Sequence, residues 1–131
     1  MRLPYLLSSA AICLFSVTIA SAQDAVKVDP KHYKVETENA QVRVVRVHYG
    51  PHEKSVMHSH PALVAVYLSD GSVRMHKPDG TVQEAQAKNG QAVYMPPEVH
   101  NPENIGDTPL DLILVELKGG ETGAASKSSG K

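Results

Sequence analysis

From Val42 onward the chain is a succession of short β-branched or apolar runs, each cut off by a turn signal. Val42-Arg43-Val44-Val45-Arg46-Val47 mixes charge with β-branched residues, as an antiparallel strand with one wet face does, and Gly50-Pro51 ends it. Ala62 to Leu68 is nearly continuous in apolar residues and predicts a central strand buried on both faces. Ser69-Asp70-Gly71 turns it, and Ser72-Val73-Arg74-Met75-His76 alternates again. In Lys77-Pro78-Asp79-Gly80 the proline presets a turn and the glycine takes positive φ, so Thr81 to Ala85 returns as a hairpin partner. After Lys88-Asn89-Gly90 comes Gln91 to Met95, stopped by Pro96-Pro97, and Leu110 to Leu117 is the last strand. No segment after residue 22 carries a helical period. Roughly eight strands, with turn signals every ~8–12 residues, predict an all-β sandwich or barrel.

The first residues follow a different logic. Met1-Arg2 precedes an uncharged stretch from Leu3 to Ala20, and Ala20-Ser21-Ala22 supplies a small-x-small end. This pattern predicts a secretory signal peptide over 1–22, and so a periplasmic or secreted protein. The other reading, a retained membrane anchor, has an apolar run only borderline in length for a bilayer. Removing 22 of 131 residues leaves 109, enough for one domain over 23–118, with a disordered Gly/Ser/Ala-rich tail over 119–131. The single cysteine, Cys13, leaves with the signal; it sits too early to be a lipoprotein acceptor. Without disulfides, a true core must hold the domain. An immunoglobulin-like sandwich would call for Cys and Trp in that core, and residues 23–131 contain neither. Of the 13 basic residues only Arg2 is lost, leaving 12 against 14 acidic ones, interspersed, with no basic stripe. Nucleic acid and anionic membrane surfaces are therefore not expected partners.

The outlier in composition is histidine, with seven. In His58-Ser59-His60 two imidazoles two residues apart lie on one face of a strand. Forty residues later His100 follows Pro96-Pro97-Glu98-Val99, read as a tight turn. Neutral imidazole is the commonest ligand for divalent metal, so three of them from two strands predict a metal site inside a barrel.

These residues resemble two motifs of the cupin superfamily, small jelly-roll barrels. The first motif runs glycine, spacer, His-x-His, three or four residues, Glu, six residues, Gly; here Gly50, His58, His60 and Gly71 match it, with a longer spacer after Gly50. The second runs Gly, five residues, Pro-x-Gly, two residues, His, three residues, Asn; here Gly90, Pro96, His100 and Asn104 match it. The resemblance extends from Gly50 to Leu117 and implies a single cupin-type jelly-roll β-barrel, a double-stranded β-helix. Two departures stand out. The motif's glutamate falls on Val64 or Ala65, and Glu98 stands near the motif's second glycine, in a segment one residue shorter. The chain would then offer three imidazoles and no carboxylate, leaving a metal's charge open to anions or hydroxide.

The resemblance implies a divalent transition metal (Fe, Mn, Ni, Zn or Cu) held by His58, His60 and His100. It also implies a small-molecule ligand or substrate in the barrel mouth, with dioxygenase-like or isomerase-like chemistry within the family's range. The alternative is a non-catalytic ligand-binding or structural cupin with a degenerate metal site. A homodimer through an exposed edge strand, Leu110 to Leu117, is a third expectation. Further candidates are His52 as a fourth ligand or gate, and Glu98, His52 and Tyr67 as acid or base. Tyr67 and Tyr94 could turn hydroxyls into the cavity, and Met75 and Met95 could be soft copper ligands or core filler. His76 is expected to face outward or to pack in a pocket wall, and Asn104 and Glu98 could orient His100, with a loop cap as the other role for Asn104. His32 and His48 are expected at the surface.

Overall fold

The computed structural model describes residues 23–119, so the expected signal peptide and all but the first residue of the expected tail lie outside the described residues. A four-residue helix, α1 (Ala25–Val28), is capped by Asp24, whose side chain accepts from Val26 N at 3.1 Å. Nine strands follow: β1 (Tyr33–Glu38), β2 (Val42–Tyr49), β3 (His58–His60), β4 (Leu63–Tyr67), β5 (Gly71–His76), β6 (Val82–Ala87), β7 (Ala92–Met95), β8 (Glu98–Asn104) and β9 (Leu110–Leu117). They form two antiparallel sheets, ordered β1-β2-β9-β4-β7 and β3-β8-β5-β6. This is the expected all-β fold, consistent with a jelly-roll double-stranded β-helix. Among the described residues no helix is long and apolar enough to cross a membrane.

Strand alternation puts Val45, Val47 and Tyr49 of β2, Leu63, Ala65 and Tyr67 of β4, and Leu110, Leu112 and Leu114 of β9 into one core. The hairpin at Lys77-Pro78-Asp79-Gly80 joins β5 to β6 as expected, with Gly80 at φ 85° and the Asp79 carboxylate accepting from Thr81 N at 2.9 Å. Gly71 is not a turn residue. It opens β5, where an added Cβ would meet Leu110 Cδ1 at 2.8 Å.

Several expectations are corrected. β1 was not anticipated, although Tyr33-Lys34-Val35-Glu36-Thr37-Glu38 alternates plainly. The stretch after Pro97 is not a tight turn: Glu98 and Val99 already belong to β8 and pair with β3. β4 is buried on one face only, since Val64 and Val66 stay partly exposed and no described layer covers them. Finally, β9 is no free edge. It lies between β2 and β4, and both sides of its backbone are paired, so it has no open ladder to offer a second chain.

Candidate metal centre

β3 and β8 build the site. Their antiparallel register sets His58 opposite His100 and His60 opposite Glu98. Both histidines of β3 face inward with Ser59 between them, as the two-residue spacing requires. On β8 the inward set is unusual: His100, Pro102 and Asn104 are buried, and all are polar or helix-breaking. His58, His60 and His100 are all buried. The His60 and His100 rings lie 4.7 Å apart between centroids, and His58 stands edge-on to His100 at 5.1 Å and 88°. His100 thus stands in ring contact with both histidines of β3.

Backbone carbonyls fix two ring tautomers. His60 Nδ1 donates to Pro61 O at 2.7 Å, and His58 Nδ1 donates to Val56 O at 2.8 Å. A carbonyl only accepts, so the proton sits on Nδ1 and the lone pair on Nε2. His60 Nε2 is buried with no hydrogen-bond partner, and so is His100 Nδ1. His58 Nε2 instead meets the Tyr33 hydroxyl at 3.4 Å, and Tyr33 contacts the Tyr49 hydroxyl closely.

Glu98 supplies a carboxylate. Its Oε2 lies 3.3 Å from His100 Nδ1, without the alignment of a hydrogen bond, and its other oxygen pairs with Lys77 Nζ. His60, Glu98 and His100 each offer a ligand atom, all within 4.8 Å of one another. The expectation of three imidazoles and no carboxylate is thus corrected: Glu98 comes from β8, not from the motif position. Of the two motif positions Ala65 faces the core and Val64 faces out, and neither can supply a ligand.

Burial disfavours the charged form of all three rings. It holds His58 and His60 below the ordinary imidazole value, and His100, also repelled by His60 and His58, at about 3. Neutral imidazole is the form that binds metal. Buried nitrogens with no partner are costly, and they fit a cation they could ligate. The donor set of two imidazoles and one carboxylate suits a divalent transition metal.

Several spaces adjoin the cluster, among them a recess of about 330 Å³ lined by Ser59, His60 and Pro61. Against His60 and His100 lies an apolar cavity of about 40 Å³, walled also by Tyr33, Tyr67, Met75, Met95 and leucines, with room for little more than water. Beside it a groove of about 710 Å³ opens between β6 and β7, with Lys77 and Glu98 in its lining.

The remaining candidates fall elsewhere. His52 lies at φ 59° on an exposed loop, bonded to Asp107 at 2.7 Å, away from the cluster. Proline before it and the need for a left-handed turn take it out of β2. His76 points outward to Glu103 at 2.7 Å, and Tyr94 is 61% exposed on the outer sheet face. His48 is exposed, as expected, but His32 is buried: it bonds Asp29 at 2.7 Å and Glu53 at 3.0 Å and stacks on Tyr49. Asn104 does not touch His100. It is the loop cap, donating to Gly50 O and Thr108 O and accepting from Gly106 N. Met75 and Met95 pack against the core while lining the cavity. Lys77 and Tyr33 had not been singled out, one hidden in a hairpin signal and the other in the unrecognised β1.

Comparison with known proteins agrees with this geometry. The Cupin domain family matches residues 45–116, more than half of the 131-residue chain. A cupin domain from Bordetella pertussis Tohama I is similar at 25% identity and a TM-score of 0.62, over 66% of this chain and 91% of that one. An uncharacterized conserved protein with a double-stranded β-helix domain from Klebsiella pneumoniae follows at 26% identity and a TM-score of 0.55, over 69% and 78%. An RmlC-like cupin family protein from Methanocaldococcus jannaschii shares the fold at 20% identity and a TM-score of 0.52, over 68% and 83%. No curated protein matches the chain. The two sheets, the histidines facing each other across β3 and β8, and the family match over most of the barrel make this chain a member of the cupin family.

Proposed function

We propose that this cupin is an exported protein that holds one divalent transition metal and binds a small molecule in the mouth of its barrel. His60, Glu98 and His100 are the central donors, and His58 is the third imidazole, its free lone pair being the Nε2 that now meets Tyr33. The observation that carries the reading is the pair of buried, unpartnered ring nitrogens on His60 and His100. Bound there, an ion would supply a Lewis acid against the cavity that His60 and His100 line. Two imidazoles and one carboxylate are also the donor set of non-haem iron oxygenases, which makes iron the first metal to test.

The chain's own residues have distinct tasks. Val56 and Pro61 hold the ring tautomers of His58 and His60 through their carbonyls. Leucines and methionines around the inner cavity keep bulk water from the buried side of the cluster. Glu98 brings negative charge to the imidazoles from β8.

The test is elemental analysis of protein exported from the full-length gene and purified without chelator or nickel resin. About one ion per chain is expected, lost in His60→Ala and in His100→Ala. Metal-free wild type, or metal content in both variants undiminished from the wild type, would refute the metal site. N-terminal sequencing of the same sample should begin at Gln23, and an intact Met1 would refute export by cleavage.

A further inference from the structure

β3 is three residues long and lies at the edge of its sheet, yet it carries both His58 and His60. One side of its backbone pairs with β8. The other side is met by Gln23 and Asp24. Ser59 N donates to Gln23 O at 3.0 Å, and Asp24 forms a parallel bridge to Ser59. A strand this short makes few ladder bonds of its own, and metal ligands need support from outside their own ring to keep their geometry.

Asp24 is anchored independently of β3. Its two oxygens accept from Arg43 at 2.7 and 2.8 Å, and Arg43 belongs to β2 in the five-stranded sheet. Arg43 is fixed in turn by the buried Glu116 of β9, at 2.5 Å. The run Glu116–Arg43–Asp24 therefore ties the middle residue of His58-Ser59-His60 to the opposite sheet. Ser59 is bonded to both histidines, so its place governs where they stand against His100 and Glu98 of β8. The same segment continues round β3: α1 packs against it, Asp29 accepts from Ser55 Oγ at 2.6 Å, and Tyr33 reaches His58.

We propose that Asp24 is a positioning residue of the metal centre: held by Arg43, it clamps the outer edge of β3 and so sets the spacing of the ligand rings. The inference rests on the metal-binding reading and goes beyond it. The competing role for Asp24 is to cap α1 and add an ion pair, with no effect on the rings.

Asp24→Ser separates the two roles, because serine caps a helix about as well as aspartate but cannot bond Arg43 through two oxygens. In metal-free protein, amide hydrogen exchange at Ser59 should speed by about tenfold or more in this variant, while the β2–β9 ladder keeps its protection. The visible spectrum of bound cobalt(II) reports ligand geometry. It should change in Asp24→Ser, and the cobalt Kd should rise about tenfold or more, as when a group supporting a metal ligand is removed. Asp24→Asn, with one acceptor oxygen left for Arg43, should fall between, and it carries the same comparison should Asp24→Ser not fold. Gly80→Ala is the control for stability alone: it is strained at φ 85° in the β5–β6 hairpin, with open space around it. It should keep the wild-type spectrum and Kd. Unchanged Ser59 exchange in Asp24→Ser overturns the proposal, as does an unchanged cobalt Kd and spectrum; either leaves Asp24 a cap. Equal weakening in Gly80→Ala also overturns it and assigns the loss to stability. Wild type that takes up no cobalt refutes the metal reading and the proposal with it, and the exchange measurement, which needs no metal, tells that outcome from a failed clamp.

Discussion

His60 and Glu98 face each other across one step of the β3–β8 ladder, and His58 faces His100 across another. What separates the two histidines of β3 is the partner of Nε2. On His60 that nitrogen is buried and unpartnered, whereas on His58 it meets the Tyr33 hydroxyl at 3.4 Å. A metal gains His60 without breaking anything, and must displace a phenol to gain His58. His60→Ala should therefore abolish stoichiometric metal. His58→Ala should weaken binding by about 10–100-fold, the range found when a group supporting a ligand is removed, and Tyr33→Phe should strengthen it. Competition titration against a chelator of known affinity checks all three. Equal loss in His58→Ala and His60→Ala would place both rings in the primary donor set. Glu98→Gln keeps the shape and removes the charge, so it should weaken binding in the same range as His58→Ala.

At the scale of elements, the strands that follow ordinary alternation were legible, except β1, and β8, which inverts it, was not. β2 announces itself through β-branched residues and β9 through its apolar alternation, and the Asp79-Gly80 turn fixes β5 and β6 as one hairpin. β8 reads Glu-Val-His-Asn-Pro-Glu-Asn and buries His100, Pro102 and Asn104. Its inward face serves the site and a loop cap, so hydrophobic patterning cannot find it. Pro102 is tolerated because each half of β8 pairs with a different neighbour, residues 98–100 with β3 and 101–104 with β5. The histidine spacing revealed the imidazoles, but Glu98 and Lys77 become neighbours only through the β3–β8–β5 order, which no local pattern encodes. Another long-range feature is the ion cluster of Arg43. From β2 it holds Glu116 of β9 at 2.5 Å and, with two further bonds of 2.7 and 2.8 Å, Asp24 before α1. Glu116 is buried, so Arg43→Met would strand a charge inside the barrel. The expected cost is about 3 kcal/mol, seen as a lower urea midpoint at constant m. Adding Glu116→Met should recover most of it. A double variant no more stable than Arg43→Met would show that the guanidinium acts by packing and not by charge.

For the whole molecule, the metal-free barrel should lose stability in mild acid, above the range where its carboxylates titrate. Burial lowers the folded-state pKa of His58, His60 and His100, with His100 at about 3 against 6.5 unfolded. Between those values the unfolded chain binds more protons than the folded one, so stability rises with pH. The contribution is complete above pH 6.5 and drains away as pH falls toward 3. From pH 6.5 to 5, His100 alone should cost about 2 kcal/mol, or roughly 10 °C in Tm for a domain of this size. Asp24, held low by its bonds to Arg43, acts only below the ordinary aspartate value of 3.8, so its loss is separated in pH from that of the imidazoles. Thermal melts of chelator-treated protein at pH 7.5, 6.5, 5.5 and 5 check the sign, and His100→Phe should flatten the curve by removing the largest shift. With metal the slope should steepen, because the ion competes with protons for the same lone pairs. A metal-free Tm that is flat or rising from pH 7.5 to 5 would mean that the three rings are not held neutral in the folded chain, and that the barrel interior is wetter than its burial indicates.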